Sequence, residues 1–470
     1  MTSRYRVEYQ LKSHRRDEFI EWIKGLLAGP FVLHADVENF DIKYMGQNGT
    51  PEESAEKYRE EHENTVANEC QKRYLEIFSD VEKLIEHTIL IDELNEKDRS
   101  RMSVSRLRKL VPSLGKFFTP LPLTQAFLYE DNRRNISKRR LVSPSFNDVR
   151  KILNNAQIMA LTNQYTVENK KRLKLITFDG DVTLYEDGKS LGETDLVVPR
   201  LLQLLSMDLF VAVVTAAGYP GQSGAVKYYE RLQGLIDVLN SEDCKLTPKQ
   251  RENLLVMGAE SNYLFRYNNE LKGLKFIDND EWLLPKMRDW DKDKIKYIMD
   301  SIYDHLNHLR NKFHLQNTTT IIKKERSVGI IPNEGCRIFR EQLEEMVLSC
   351  SNKLSLILRG SRNFASSQEA LCSSDIEVCA FNGGRDVWVD IGDKALGVES
   401  LQKYLCQSQN NTCPIEKAES LHVGDQFASL GANDFKARLS ACTAWISSPR
   451  ETVEILDDLI MLLTKQEKEL

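Results

Sequence analysis

A short apolar run that ends in two aspartates constrains this chain more than any other feature. Residues 173–178 lead directly into Asp179-Gly180-Asp181. After about residue 165, short runs rich in Val, Ile and Phe alternate with helical patterns, which is typical of an α/β sheet. Open α/β sheets bind their ligands at the carboxyl ends of the strands. The sequence therefore predicts an α/β fold with Asp179 and Asp181 at the ligand-binding edge.

Further strand-like runs follow along the chain. One covers residues 207–215, and later runs are VWVDI at 387–391, LHVGD at 421–425 and TAWISSP at 443–449, before a closing helical pattern. The long segment between the second and third runs predicts an inserted domain, with the sheet formed by the parts of the chain before and after it. We therefore assign residues 165–218 and 390–470 to a catalytic core, and residues 219–389 to an inserted domain.

The two aspartates suit phosphoryl transfer. One carboxylate can attack phosphorus and form an aspartyl-phosphate. The other can protonate the leaving oxygen and then deprotonate the water that hydrolyses the intermediate. Both lie close enough in the sequence to share a Mg²⁺ ion. The same pattern alone also fits an Asx-turn after a strand, so the interpretation needs support from elsewhere.

Support comes from polar residues that follow the later runs. Thr215 offers a hydroxyl, beside free backbone N–H groups, for phosphate oxygens. Lys394 can place a point charge on the phosphate. Asp425 can ligate Mg²⁺, while Asn433 and Asp434 can orient the groups around the ion. A strand-to-loop turn and a solvated surface lysine are the ordinary alternatives for Thr215 and Lys394, but all these groups in this order favour a phosphate site.

The N-terminal part of the chain differs in its charge pattern. Residues 51–100 hold 15 acidic and 7 basic residues, whereas residues 101–150 hold 11 basic and 3 acidic ones. Apolar residues recur in steps of three and four within the acidic stretch, so residues 1–150 are predicted to form a helical domain, for which a regulatory role stays open. Arg139 and Arg140 lie in the densest basic part, where clustered bases suit a polyphosphate. Pairing of these bases with the acidic stretch is the alternative.

The composition excludes several classes of function. The net charge is −6 and the isoelectric point about 5.9. Proteins dedicated to nucleic acids have a basic excess, so no nucleic-acid partner is expected. The first residues lack the apolar run of a signal peptide and no apolar stretch is long enough for a membrane span, so we expect a cytoplasmic protein without membrane association. The nine cysteines form no C-x-x-C pair, which argues against a zinc site.

The order of these motifs resembles that of the haloacid-dehalogenase-like phosphohydrolases. D-x-D-x-T-L stands at residues 179–184, a strand then ends in Thr215, Lys394 follows, and G-D…N-D stands at residues 424–434. The resemblance covers about residues 165–470. It implies a Rossmann-like core with a large inserted α+β cap, preceded here by the helical N-terminal domain.

The same resemblance implies a role for each motif residue. Asp179 is implied as the nucleophile and Asp181 as the general acid and base. Thr215 and Lys394 are implied as phosphate ligands. Asp425 is implied to join Asp179 and Asp181 around a Mg²⁺ ion, with Asp181 contributing its backbone carbonyl.

Longer segments narrow the resemblance. LVSPSFNDVRKILNNAQ at 141–157, FDGDVTLYEDG at 178–188 and AFNGGRDVWVDIGDKALGVESL at 380–401 resemble the IMP-specific 5′-nucleotidases of fungi and apicomplexan parasites. This resemblance covers nearly the whole chain. It implies an enzyme of purine salvage that hydrolyses IMP to inosine and phosphate, forms a homo-oligomer (a tetramer) and is activated by ATP. We expect the inserted cap and Asp187 to read the base, because a site that hydrogen-bonds the base edge discriminates strongly.

Two alternatives stay open. The G-D…N-D pattern also resembles phosphomannomutases, so a sugar-phosphate phosphatase or phosphomutase is one alternative. A non-catalytic regulator that binds nucleotide is the other, although the presence of both Asp179 and Asp181 argues against a loss of activity.

Overall fold

The structure, a computed structural model, describes most of the chain. The described residues are 17–34, 51–98, 103–162, 165–166, 169–170, 173–364, 376–408, 415–427 and 431–469. The chain divides into two compact units, Met1–Gln164 and Tyr165–Leu470. None of the helices among the described residues is both long and apolar enough to cross a membrane.

The N-terminal unit is helical, as the sequence predicts. Its helices are α1 (Glu18–Leu33), α2 (Pro51–Lys97), α3 (Arg106–Leu110), α4 (Leu123–Arg134) and α5 (Phe146–Thr162). In α2, apolar positions spaced three and four residues apart form one buried face that includes Tyr74 and Phe78. Both rings pack against Phe127 of α4, with ring centroids 5.8 and 5.2 Å away. Packing of these aromatic side chains, more than helix propensity, stabilises the helix pair.

The second unit contains two larger sheets and a short hairpin. In chain order the strands are β1 (Tyr165–Thr166), β2 (Asn169–Lys170), β3 (Leu175–Phe178), β4 (Phe210–Val214), β5 (Leu254–Gly258), β6 (Tyr263–Asn268), β7 (Gly273–Ile277), β8 (Thr319–Lys323), β9 (Ser327–Pro332), β10 (Val378–Asn382), β11 (Val387–Ile391), β12 (Ser420–Gly424) and β13 (Cys442–Trp445). The helices are α6 (Val197–Ser206), α7 (Gly221–Arg231), α8 (Gln233–Asn240), α9 (Pro248–Arg251), α10 (Asn279–Trp282), α11 (Pro285–Arg288), α12 (Lys292–Lys312), α13 (Arg340–Phe364), α14 (Lys394–Ser408) and α15 (Pro449–Glu469). Two 3₁₀ helices cover Lys417–Glu419 and Phe435–Leu439.

The main sheet has seven strands in the order β13-β12-β3-β4-β5-β6-β7. The first five are parallel, and β6 and β7 extend the sheet antiparallel. Strands β3, β5 and β12 are buried along their whole length, which is the usual state of parallel strands because helices cover both faces of such sheets. This α/β core confirms the predicted fold class. The predicted runs at 173–178, 207–215 and 421–425 fall on β3, β4 and β12.

The second sheet lies in the segment between β7 and α14. It has four antiparallel strands in the order β10-β11-β9-β8, and α12 and α13 pack against it. The sequence predicts an insertion over residues 219–389, but β5, β6 and β7 lie in that range and belong to the main sheet. Short turns connect these three strands, so they add to the sheet edge without leaving it. The start of the insertion is therefore corrected from residue 219 to about residue 278.

Candidate active site

Four loops meet at the carboxyl edge of the main sheet. The register pairs Phe178, the last residue of β3, with the penultimate residues of β4 and β12. The last residue of β4 pairs with the penultimate residue of β5. Parallel strands in this register end together, so the loops that follow β3, β4, β5 and β12 lie side by side. These loops hold Asp179, Thr215, Glu260 and Asp425.

The loop after β3 separates the two aspartates of the D-x-D motif. A Cβ at Gly180 would come within 2.5 Å of the Tyr185 hydroxyl oxygen, so a larger residue between the aspartates would displace the Tyr185 side chain. Asp179 Oδ1 accepts a hydrogen bond from the Gly180 N–H at 2.8 Å. Asp181 Oδ1 accepts one from a backbone N–H later in the same loop at 3.0 Å and lies 3.8 Å from Nη1 of Arg231. The two carboxylates therefore have different surroundings, as two different chemical roles require.

Lys394 lies in direct contact with Asp179. It is the first residue of α14 and follows a turn at Gly392, whose φ of +94° favours glycine. Its side chain is fully buried, and Nζ lies 2.8 Å from Asp179 Oδ1 and 2.6 Å from Asp434 Oδ1. A buried ammonium needs such carboxylate partners. The alternative of a solvated surface lysine is thereby excluded.

Asp425 completes an acidic cluster with Asp179 and Asp434. One carboxylate oxygen from each of the three lies within 4.8 Å of the others. Oδ1 of Asp425 and Oδ1 of Asn433 are buried and have no hydrogen-bond partner in the part of the chain that the structure describes. Unpaired oxygen atoms of this kind are the donors that hard divalent cations prefer. The donor set therefore fits an ion such as Mg²⁺.

The cluster contains more carboxylates than basic groups, and burial together with this excess shifts the pKa values of its members. Burial raises the pKa of Asp179 to about 6 against the opposing charge of Lys394, and Asp434 adds to the rise. Burial, followed by the charges of Asp179 and Asp434, raises the pKa of Asp425 to about 9. Burial would also raise the pKa of Asp434, but Lys394 and His422 outweigh it and hold that pKa below its usual range. A bound divalent cation would favour the ionised form of Asp425.

Glu260 belongs to the site, although no sequence motif identifies it. It follows β5, is fully buried, and has a φ of +63° directly after Ala259 at +49°. Two successive non-glycine residues in this region are strained, and such strain is concentrated at functional sites. Its Oε1 accepts a hydrogen bond from Nδ2 of Asn433 at 3.2 Å. Burial raises the pKa of Glu260 well above its usual value.

His422 is the second site residue without a motif. It lies inside β12, three residues before Asp425, and is fully buried. Its Nε2 is 3.0 Å from Asp434 Oδ1, and its Nδ1 is 2.8 Å from the hydroxyl oxygen of Thr177. A histidine within an otherwise apolar buried strand is the sequence signal that could have found it.

Thr215 and Asp187 lie around this cluster. Thr215 is 5% exposed, and its hydroxyl oxygen accepts a hydrogen bond from the Ala217 N–H at 3.2 Å. That oxygen is 3.6 Å from where a Cβ at Gly180 would be, which places it beside the D-x-D loop. Asp187 Oδ2 lies 3.3 Å from Nε of Arg385, in the turn between β10 and β11. Asp187 thus faces the four-stranded sheet.

The basic stretch of the N-terminal unit borders an open depression of about 550 Å³. The depression is lined by Glu63, Lys138, Arg139, Arg140, Leu141 and Val142. Arg139 forms a bidentate pair with Asp148, at 2.7 and 3.2 Å, and Arg140 donates to backbone carbonyl oxygens that include that of Glu63. Arg139 therefore pairs with a carboxylate outside the acidic stretch 51–100, whereas two other bases pair with acidic residues of α2. The exposed cation of the depression is Lys138.

The parallel sheet, the D-x-D loop after β3 and the lysine–carboxylate cluster define the fold of a haloacid-dehalogenase-like phosphohydrolase, as the motifs predict. A model of the IMP-specific 5′-nucleotidase family matches residues 1–456 of the chain. The chain belongs to this family.

Named relatives are similar over nearly the whole length. The IMP-specific 5′-nucleotidase 1 of Candida albicans is 68% identical over 98% of this chain and 99% of its own length. The IMP-specific 5′-nucleotidase 1 of Saccharomyces cerevisiae is 46% identical over 98% of this chain and 99% of its own length.

Solved structures of the Plasmodium falciparum IMP-nucleotidase share the fold. An N-terminally truncated, IMP-bound form is 30% identical, covers 94% of this chain and 96% of its own, and has a TM-score of 0.70. An ATP-bound form is 29% identical, covers 97% of this chain and 88% of its own, and also has a TM-score of 0.70. The likeness extends beyond the catalytic core into the helical N-terminal region.

Proposed function

We propose that this chain hydrolyses IMP to inosine and phosphate through an aspartyl-phosphate on Asp179. The observation that carries the proposal is the buried contact of Asp179 Oδ1 with Lys394 Nζ at 2.8 Å, inside a cluster of carboxylates that fits a divalent cation. Membership of the IMP-specific 5′-nucleotidase family supports the choice of substrate.

In the first step, Asp179 attacks the phosphorus atom. Its Oδ1 is held by Lys394 and by the Gly180 N–H, so Oδ2 is the oxygen that forms the new O–P bond. The bond from phosphorus to O5′ breaks, and Asp181 gives its proton to O5′ as inosine leaves. Since the pKa of Asp179 is raised only to about 6, the nucleophile is ionised above that pH.

In the second step, a water molecule attacks the same phosphorus atom. Asp181 takes the proton of this water, the bond between phosphorus and Asp179 Oδ2 breaks, and phosphate leaves with the Asp179 carboxylate regenerated. The N–H donor of its own loop and the neighbouring Arg231 hold Asp181 away from the Lys394 cluster. This separation lets one carboxylate shuttle protons while the other forms the covalent bond.

Lys394 and Thr215 contact the phosphate in this scheme. Lys394 offers a buried point charge beside the attacking carboxylate, and Thr215 offers a hydroxyl at the end of β4. Charges in a buried site stabilise developing negative charge more strongly than they do in water. Asp179, Asp425 and the backbone carbonyl of Asp181 would hold Mg²⁺, which supplies positive charge to the phosphate when bound. Asn433 and Asp434 orient the groups around the ion.

We assign the four-stranded sheet with α12 and α13 to the cap over this core. Asp187 faces its β10–β11 turn, and the pair with Arg385 places a carboxylate where the core meets the cap. A carboxylate can accept a hydrogen bond from the N1–H of hypoxanthine, a donor that adenine lacks. Asp187 is therefore our candidate for reading the base.

Phosphate release from a substrate panel tests this function. IMP, AMP and mannose 6-phosphate are compared by kcat/KM in Mg²⁺ buffer, with Asp187→Asn as the matched variant. We expect at least ~100-fold preference for IMP over AMP, which Asp187→Asn reduces. Equal kcat/KM for all three would refute a specific nucleotidase, and preference for the sugar phosphate would favour the sugar-phosphatase alternative. No turnover of any substrate would favour the non-catalytic regulator.

A second proposal concerns ATP as an activator that binds the depression in the N-terminal unit. The basic residues Lys138 and Arg140 at its rim suit a polyphosphate. Arg139 contributes less free charge because Asp148 already pairs with it. The ATP-bound structure of the Plasmodium falciparum IMP-nucleotidase supports a nucleotide ligand besides the substrate.

We also propose a homotetramer. Exposed apolar side chains of the N-terminal unit support self-association, among them Leu33 at 82% and Leu141 at 92% exposure.

A further inference from the structure

We propose that His422 positions the phosphate-binding Lys394, acting through Asp434. This inference rests on the proposed role of Lys394 and adds a residue that belongs to none of the motifs. His422 touches neither the nucleophile nor the general acid, so it is a positioning residue and not a catalytic one. The geometry forms a chain of polar contacts that starts inside the main sheet and ends at Asp179.

The chain of contacts starts in the register of the sheet. His422 of β12 pairs directly with Thr177 of β3, and both residues are fully buried. The Thr177 hydroxyl oxygen lies 2.8 Å from Nδ1 of the ring. Two neighbouring parallel strands therefore fix where the imidazole lies, since a buried strand pair is among the most rigid parts of a protein.

The ring then fixes Asp434. Nε2 lies 3.0 Å from Asp434 Oδ1, and an ionised carboxylate only accepts hydrogen bonds, so Nε2 is the donor. Asp434 Oδ2 accepts from the Gln426 N–H at 2.9 Å. A Cβ at Gly424 would come within 2.4 Å of that same oxygen, so the carboxylate is held closely against the end of β12. Asp434 lies outside the strands, just before the 3₁₀ helix Phe435–Leu439, and His422 ties it to the sheet.

Asp434 in turn fixes Lys394. Oδ1 of Asp434 receives both the ring of His422 and the ammonium of Lys394, the latter at 2.6 Å. An ammonium at the end of a four-carbon stem is easily displaced unless its partners hold it. With Asp434 in place, Lys394 is shared between two carboxylates and remains beside the phosphate position. Without the donor from His422, Asp434 keeps the Gln426 N–H on Oδ2 but loses the group that fixes Oδ1, so the ammonium paired with Oδ1 is less well positioned.

Two substitutions of His422 distinguish the contact made by Nδ1 from the contact made by Nε2. The amide of His422→Gln reaches about as far as Nε2 and can still donate to Asp434. The amide of His422→Asn reaches only about as far as Nδ1, so it can contact Thr177 but not Asp434. Each variant keeps one of the two contacts. If His422 only stabilised the fold, the activity of each variant would therefore follow its stability.

The measurements are kcat/KM for IMP, the inhibition constant of inorganic phosphate, and the thermal midpoint of each variant. We expect His422→Gln to retain at least about a third of wild-type kcat/KM, and His422→Asn to lose ~10- to ~100-fold, in line with the known cost of small displacements in active sites. Inhibition by phosphate should weaken in parallel for His422→Asn. If His422→Asn does not fold, His422→Phe, which keeps the ring volume and lacks the donor, takes its place.

A double-mutant cycle with Lys394→Met completes the test. Phosphate affinity is measured by calorimetry, so that an inactive variant can still be compared. If His422 acts through Lys394, His422→Asn should weaken phosphate binding less than about 2-fold in the Lys394→Met background. Equal losses in both backgrounds, or wild-type kcat/KM in His422→Asn, would overturn the proposal while leaving the phosphatase function intact. Failure of the wild type to hydrolyse any phosphate monoester would refute the proposed function instead.

Discussion

Removal of the carboxylate of Asp425 should stabilise the metal-free protein at alkaline pH. Its Oδ1 is buried without a hydrogen-bond partner among the residues that the structure describes. Burial and the charges of Asp179 and Asp434 raise its pKa from 3.8 to about 9. Asp425→Asn keeps the shape of the side chain and removes the group that titrates.

The magnitude follows from proton linkage. Between pH 6 and pH 8 the folded metal-free protein keeps a proton on Asp425, whereas the unfolded chain does not. A raised carboxyl pKa gives stability that is present at low pH and is lost as the pH rises, at ~1.4 kcal/mol per pH unit for one proton. From pH 6 to pH 8 the wild type should therefore lose ~2.7 kcal/mol relative to Asp425→Asn. For a unit of this size the loss corresponds to roughly 4 °C in the thermal midpoint.

Asp434→Asn is the matched control. It replaces the neighbouring carboxylate, whose pKa is lowered where that of Asp425 is raised. The pKa of Asp434 is held low by Lys394 and His422, so this group stays ionised in both folded and unfolded chains above pH 6. Its replacement should cost ~3–5 kcal/mol, since it leaves Lys394 with one carboxylate fewer. That cost should be smaller at pH 8 than at pH 6, because the charge of Asp434 also raises the pKa of Asp425.

Unfolding in urea with EDTA, followed by tryptophan fluorescence, measures both effects. Four of the five tryptophans lie in the second unit, at positions 282, 290, 388 and 445, so the signal reports mainly on that unit. Added Mg²⁺ should stabilise the wild type increasingly with pH and leave Asp425→Asn unchanged. If the stability of Asp425→Asn and of the wild type fell in parallel from pH 6 to pH 8, the assignment of a raised pKa to Asp425 would be refuted.

Three further predictions concern the nucleophile, Glu260 and the effector. Asp179→Asn should lower kcat for IMP by at least ~10³-fold while the chain still folds, and retention of a tenth of the activity would exclude Asp179 as the nucleophile. Glu260→Gln should keep kcat/KM within ~3-fold of the wild-type value, because burial already favours the neutral acid. Glu260→Ala should lower kcat/KM ~10-fold, because it releases Asn433. Equal losses in the two variants would contradict this role of Glu260. Replacement of Lys138 and Arg140 by Ala should raise the ATP concentration for half-maximal activation by ~5-fold or more without changing hydrolysis in the absence of ATP, and an unchanged activation curve would place the effector elsewhere.

Much of the core could be predicted because its strands are short, apolar and followed by polar motif residues. Buried parallel strands need apolar runs, so the sequence predicts strands at 173–178 and 421–425. Because such strands end at one edge of the sheet, the polar residues at their carboxyl ends are predicted to form one site. The contact between Lys394 and Asp179 does not follow from this logic, because Lys394 comes after β11 of the antiparallel four-stranded sheet. It is the order of the motifs that indicates Lys394 as a member of the site.

The remaining features depend on tertiary structure more than on local sequence patterns. The sequence pattern places the start of the insertion too early, because β5–β7 continue the main sheet through short turns. Their apolar runs do not distinguish an extension of the sheet from an insertion. Glu260 depends on two strained backbone conformations, and His422 on a register between β3 and β12. Both properties arise from tertiary structure. The sequence offers no signal for Glu260, and for His422 it offers a histidine within an otherwise apolar run.

The turn at Gly392 connects the four-stranded sheet directly to Lys394. Strand β11 of the four-stranded sheet ends at Ile391, and Lys394 stands only three residues later. A tilt of that sheet is therefore transmitted to the ammonium group, unless the dihedral angles of this one residue absorb it. Any other residue at position 392 would have to adopt a φ of +94°, and its Cβ would clash with the Ser261 hydroxyl oxygen. Because this joint accepts only glycine, any movement of the four-stranded sheet relative to the core would also shift the ammonium group that we propose as a phosphate ligand.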